Sequence, residues 1–125
     1  MSATQSIYLG CIALVGIVNA LPVVGALGAS QLASAYGIAL PSDSLLLLLR
    51  HRAILFGIMG AFVLVSLARP EYRIAAFVMA GTSMLSFLVL AGHSGVVNES
   101  IRKIVTVDVI GLTALAVAVV LHGYR

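Results

Sequence analysis

This sequence predicts an all-α fold: a four-transmembrane-helix bundle with a short interfacial segment between helices 1 and 2. Three observations predict it. First, 62% of the 125 residues are hydrophobic and only 9% are charged, against about 45–50% and roughly 25% in an ordinary soluble domain. A small soluble domain keeps much of its surface in water, so it cannot hide this much apolar area. Mean hydropathy is +1.18, and the bilayer is the natural solvent. Second, four runs reach the length of about 20 mostly apolar residues that a spanning helix needs. Third, each gap between the runs carries proline, glycine or charge.

The first span covers 6–27. The preceding MSATQSIYLG has no basic stretch, so it reads as the start of a retained helix and not as a secretory leader. Pro22 kinks this helix or ends it near Asn19. Residues 28–40, GASQLASAYGIAL, are less apolar and rich in small side chains. They read as a short helix or re-entrant turn in the membrane interface, with Tyr36 at headgroup level.

The second span covers 43–68. Ser42 or Asp43 caps it, and Pro41 blocks an earlier start. It ends at ARPEYR, where Pro70 cannot continue a helix and restricts Arg69 before it. Arg69, Glu71 and Arg73 would also be costly in hydrocarbon. The third span covers 72–92 and stops in AGHSG. The fourth covers 98–122, with Asn98 as cap and Glu99 at the positive end of the helix. Together they form one integral domain, 1–125.

Small residues recur at helix-packing spacing: Gly16 and Ala20, then Ala53, Gly57 and Ala61, then Ala76 and Ala80, then Gly111, Ala114 and Ala118. In lipid, helices associate by close backbone approach through such positions. They serve packing within the bundle first and a homo-oligomer face second.

The composition excludes several function classes. The formal charge of +3 is not organised into basic runs with interleaved aromatics, so nucleic acid is not an expected partner. The lone Cys11 excludes an internal disulfide, a CxxC pair or a cysteine metal cluster. No metal or other cofactor is expected, since His51 and His93 have no HxxxH or CxxC context. Ser94, His93 and Asp108 are not spaced in a way that demands a catalytic triad. No recognised catalytic set is present. His122, at the end of the fourth span, suits the helix dipole and takes no further role.

The unusual stretch is LLLLLRHRAILFG, where Arg50, His51 and Arg52 interrupt an apolar helix. The second and fourth spans run in the same direction. Arg52 and Asp108 each lie roughly 14–15 Å from their helix starts, in nearly the same layer. Asp108 is the one acid deep in an apolar run, so an ion pair with Arg52 or Arg50 is the economical expectation. Arg50 shares a face with Ala53 and Gly57 and competes for the inward position. With His93, Lys103, Arg102 and Glu99, these residues gather in one half of the membrane. The layer is either a register-fixing ion-pair network or a partly hydrated pocket with a cationic mouth and an apolar floor.

The succession ALPVVGALG, LASAYGIAL, LLLLLRHRAILFGIMGAFVL and ARPEYR resembles the small four-helix bacterial membrane proteins of the DUF4345 and DoxX-like kind. The matching pieces are Pro22 and Gly25, Tyr36 and Gly37, Arg50 or Arg52, and Gly57 and Gly60. The resemblance covers about residues 10–120. It implies an integral bundle in the bacterial inner membrane, mostly of unknown function. Relatives are sometimes named phosphopantetheine adenylyltransferase. That activity needs a soluble nucleotide-binding fold and an HxGH-type motif, which AGHSG imitates only superficially.

The functional expectation is therefore binding. Arg50, His51, Arg52, His93, Lys103 and Asp108 are the expected ligand-binding residues. The ligand is a lipid, quinone-like or other amphipathic small molecule, or a partner membrane subunit. The alternative is an oligomeric transporter or channel using the Asp108–Arg pair. Arg69 and Arg73 flank the tightest loop, and this assigns both termini to the cytoplasm. Arg125 lies on that same side.

Overall fold

A computed structural model of the chain describes residues 2–39, 42–95 and 98–124. Pro41, expected to block an earlier start of the second span, and Arg125, used in assigning topology, lie outside the described residues. The bundle is all-α, and four helices are long and apolar enough to cross a membrane.

Helix α1, Ala3–Ala20, begins three residues before the expected span because Ser2 caps it, its hydroxyl accepting from the Gln5 amide at 3.1 Å. Pro22 then acts as expected: the α-helix ends at Ala20. The chain does not turn away, however, but continues as a 3-10 helix, Leu21–Leu27. A short helix α2, Ala29–Tyr36, follows and stops at Gly37, whose φ of 63° is left-handed. Helix α3, Asp43–Ala68, is capped by Ser42 and ends before Pro70. Helix α4 is Arg73–Ser94, and Gly95 at φ 70° terminates it. Helix α5, Glu99–Gly123, is capped by Asn98, which accepts from the Ile101 amide at 2.8 Å.

Helix α1 packs against both α3 and α5, and α4 closes the bundle against the other faces of the same two helices. The core follows a helical stripe, Tyr8, Ile12, Val15 and Val18, which meets Val63, Ala76, Ala80, Met84 and Leu115. Glycines set the closest approaches. A Cβ on Gly60 would lie 2.5 Å from the Ala20 amide nitrogen, so α1 and α3 touch backbone to backbone. Gly16 against Leu64 and Gly111 against Met84 are similarly tight, at 2.6 and 2.8 Å. Ala61, expected to face a neighbouring helix, is exposed instead. The contact belongs to Gly60, one residue earlier and about 100° round the helix.

One end of the bundle is a closed polar cluster. Arg73 is 4% exposed. Its Nε donates to the Ser66 carbonyl and an Nη to the Leu67 carbonyl, each at 2.9 Å. These carbonyls belong to the last turn of α3, where no intrahelical donor is left. The guanidinium carbon stands 5.2 Å from the Tyr8 ring centre, and the Tyr8 hydroxyl is 2.8 Å from His122 Nδ1. His122 therefore has a specific partner, contrary to the expectation of a residue that only suits the helix dipole.

Candidate functional site

The opposite end is open. A cleft of about 370 Å³ lies between the end of α1, the 3-10 helix, α2, α3 and α5. Its α5 wall is Ser100, Lys103, Ile104, Val107 and Asp108, an i, i+3, i+4, i+7, i+8 stripe that presents one helix face. Asn98 fixes α2 across this wall. Its side-chain nitrogen donates to the carbonyls of Tyr36 and Gly37 at 2.7 and 3.1 Å, while its oxygen caps α5. A Cβ on Gly37 would lie 2.9 Å from the Ser100 Oγ, so a glycine there permits both the left-handed turn and the contact.

Arg52 and Asp108 each stand nine residues past the first residue of their helices, Asp43 and Glu99. Both line the cleft. They do not form the expected ion pair: among the described residues the salt bridge is Arg69–Glu71, at 2.7 Å. Arg52 instead donates to the Tyr36 hydroxyl. Its guanidinium carbon lies 4.6 Å from the Phe56 ring centre and 5.5 Å from that of Tyr36. Aromatic faces stabilise a partly desolvated cation, so Arg52 is held without Asp108. The Asp108 carboxylate makes no hydrogen bond or ion pair with the described residues.

Arg50 does not compete for Asp108. Its Nε donates to the Ala26 carbonyl at 3.0 Å, a group of the 3-10 helix outside any α-helical ladder. His51 is exposed on the outer face of α3, and His93 is exposed in the last turn of α4. The structure thus brings Arg52, Lys103 and Asp108 into one cleft and leaves Arg50, His51 and His93 outside its lining. Among the described residues no group of three or more His, Cys, Asp or Glu side chains could hold a metal ion.

Asn19, Tyr36 and Phe56 are among the lining residues that the sequence does not single out as site residues. Asn19 had a visible signal, a polar amide three residues before a proline in an otherwise apolar helix. Tyr36 was noticed only as an interfacial aromatic. Phe56 carried a helical signal, one turn beyond Arg52, but no chemistry of its own. The walls around the charges are mostly apolar, with Val18, Leu21, Leu32, Ile104 and Val107 among them. Such a site can hold a molecule with a small polar end and an apolar body. No family profile matches the chain, and no curated protein or solved structure matches it either.

Proposed function

We propose that this multi-pass membrane protein binds one small amphipathic molecule, with the ligand's polar end in the Arg52–Lys103–Asp108 layer and its apolar body against the cleft walls. The protein would sit in a bacterial inner membrane with both termini in the cytoplasm. The observation that carries the binding proposal is the cleft: about 370 Å³, apolar-walled, with a carboxylate and an ammonium that make no hydrogen bond or salt bridge among the described residues. That volume falls in the range of roughly 300–1,000 Å³ usual for small-molecule sites. Ionisable groups at membrane depth are costly and most often functional. An ion-pair network built only to fix helix register would have closed on Asp108.

Native mass spectrometry of protein released gently from membranes tests this, with Val107→Trp as the comparison. Val107 lines the cleft and is 37% exposed, so an indole there fills the space without entering the packed core. The wild type should carry a discrete small-molecule adduct that Val107→Trp loses at unchanged thermal stability. A bare wild type, or an adduct indifferent to the indole, would overturn the proposal.

A further inference from the structure

The unmet groups of the cleft narrow the ligand to one chemical class, an inference that rests on the binding reading above. Asn19 is 2% exposed. Its side-chain nitrogen is engaged by the Val15 carbonyl at 2.8 Å and by Met84 Sδ at 3.8 Å. Its side-chain oxygen accepts nothing from the described residues. Yet among those residues no fully buried side-chain oxygen or nitrogen lacks a partner. The Asn19 oxygen is therefore not fully enclosed, and Asn19 lines the cleft. Asp108, on the α5 wall of the same cleft, is a second acceptor without a hydrogen bond among the described residues.

Both acceptors stand near one contact, that of Met84 with α5. Met84 Sδ, in contact with Asn19, is also 2.8 Å from where a Gly111 Cβ would be. Gly111 stands three residues beyond Asp108, on the same face of α5. Asn19 and Asp108 thus both line the cleft beside the Met84–Gly111 contact, Asp108 one turn of α5 from Gly111. Two cations line the same cleft. Arg52 gives one nitrogen to Tyr36 and keeps the rest of its five-donor fork free. The Lys103 ammonium has no partner among the described residues.

A simple anion would satisfy Arg52 and Lys103 but meet repulsion at Asp108 and leave the Asn19 oxygen dry. A simple amine would reverse the fault. A quinone, which only accepts, would leave both acceptors unmet, and a buried acceptor without a donor is costly. We propose that the cleft recognises a zwitterionic amphipath, a primary amine beside a phosphate on an apolar chain, as in an ethanolamine lysophospholipid. The phosphate lies with Arg52 and Lys103, the ammonium donates to Asp108 and the Asn19 oxygen, and the chain follows Ile104, Val107 and Phe56.

The test offers the purified full chain, in mild detergent, three lysophospholipids of one chain length, with ethanolamine, choline or glycerol heads. Soluble phosphoethanolamine is the fourth probe, and native mass spectrometry reads the adducts. The choline head keeps charge and phosphate but has no N–H, and the glycerol head has no ammonium. Retention of the ethanolamine lipid should exceed either by about tenfold, the scale of one charge-assisted hydrogen bond. Asp108→Asn should lose most of that preference while still retaining phosphate-bearing lipids. Equal retention of the three lipids, or an undiminished preference in Asp108→Asn, would overturn the head assignment. Binding abolished by Val107→Trp would still stand as evidence for the site itself. Phosphoethanolamine bound as well as its lipid would make this a site for a soluble phosphoamine and overturn the lipid assignment. No adduct from any probe overturns the inference, and the endogenous adduct of the wild type then decides the binding reading separately.

Discussion

Arg73 shows how a charge can be spent on structure. It is buried, it donates two hydrogen bonds to the end carbonyls of α3, and it stands over the Tyr8 ring. Hydrogen bonds from a charged donor contribute about 1.5–3 kcal/mol each, and removing the side chain returns two α3 carbonyls to an unpaired state. Arg73→Ala should therefore lower unfolding stability by about 3–6 kcal/mol, read as a fall in thermal midpoint in detergent. Arg73→Lys should recover only part of this, because one ammonium lacks the planar fork that reaches both carbonyls. A midpoint unchanged in Arg73→Ala would show that the contact adds nothing. In the sequence, Arg73 was indistinguishable from Arg69. Both flank Pro70, but Arg69 stays outside and pairs with Glu71. Nothing local separates them, because burial is decided by the position of Tyr8 sixty-five residues earlier. The common layer of Asp108 and Lys103 was legible from depth and spacing, and both line the cleft. Arg52 was legible in position but not in partner, since its partner Tyr36 belongs to a segment whose placement depends on Asn98.

At the scale of the element, the glycines divide into those that touch and those that do not. Gly60 meets the α1 backbone at Ala20, whereas nothing lies within 4 Å of a Cβ on Gly10. Gly60→Ala should force α1 and α3 apart and cost about 1–3 kcal/mol, as overpacking does. Gly10→Ala should cost nothing, and its lower unfolded-state entropy should favour the helix by up to about 1 kcal/mol. Paired thermal melts check this, and equal midpoints for the two variants would deny the close approach. The four long helices were readable because hydropathy and capping residues agree along each one. Pro22 also marked the end of α1 correctly. Its continuation as a 3-10 helix was not readable, because that segment is held by contacts from elsewhere, including Arg50 on its Ala26 carbonyl and the α3 backbone beneath it. Short helices draw little on their own propensity and much on tertiary support.

The whole molecule separates its polar chemistry into two ends. Ser66, beside Arg73, lies fourteen residues along α3 from Arg52, which is roughly 21 Å. One end is closed and mutually satisfied, built from Tyr8, Arg73 and His122. The other is a cleft in which Asp108 and Lys103 make no hydrogen bond or salt bridge among the described residues. This division makes stability and binding separable. Asp108 makes no hydrogen bond or salt bridge among the described residues, so Asp108→Asn should leave the thermal midpoint within the change of about 0.5 kcal/mol typical of neutral substitutions, while altering the bound molecule. Arg73→Ala should do the reverse, lowering the midpoint and keeping the adduct at temperatures where the protein is folded. Groups this far apart, with no shared partner, should also combine additively to within about 0.3–0.5 kcal/mol in the double variant. A large stability loss in Asp108→Asn would mean that the carboxylate is part of the scaffold after all. The cleft would then be the gap in a register-fixing layer, and its open charges would need a partner within the protein rather than a ligand.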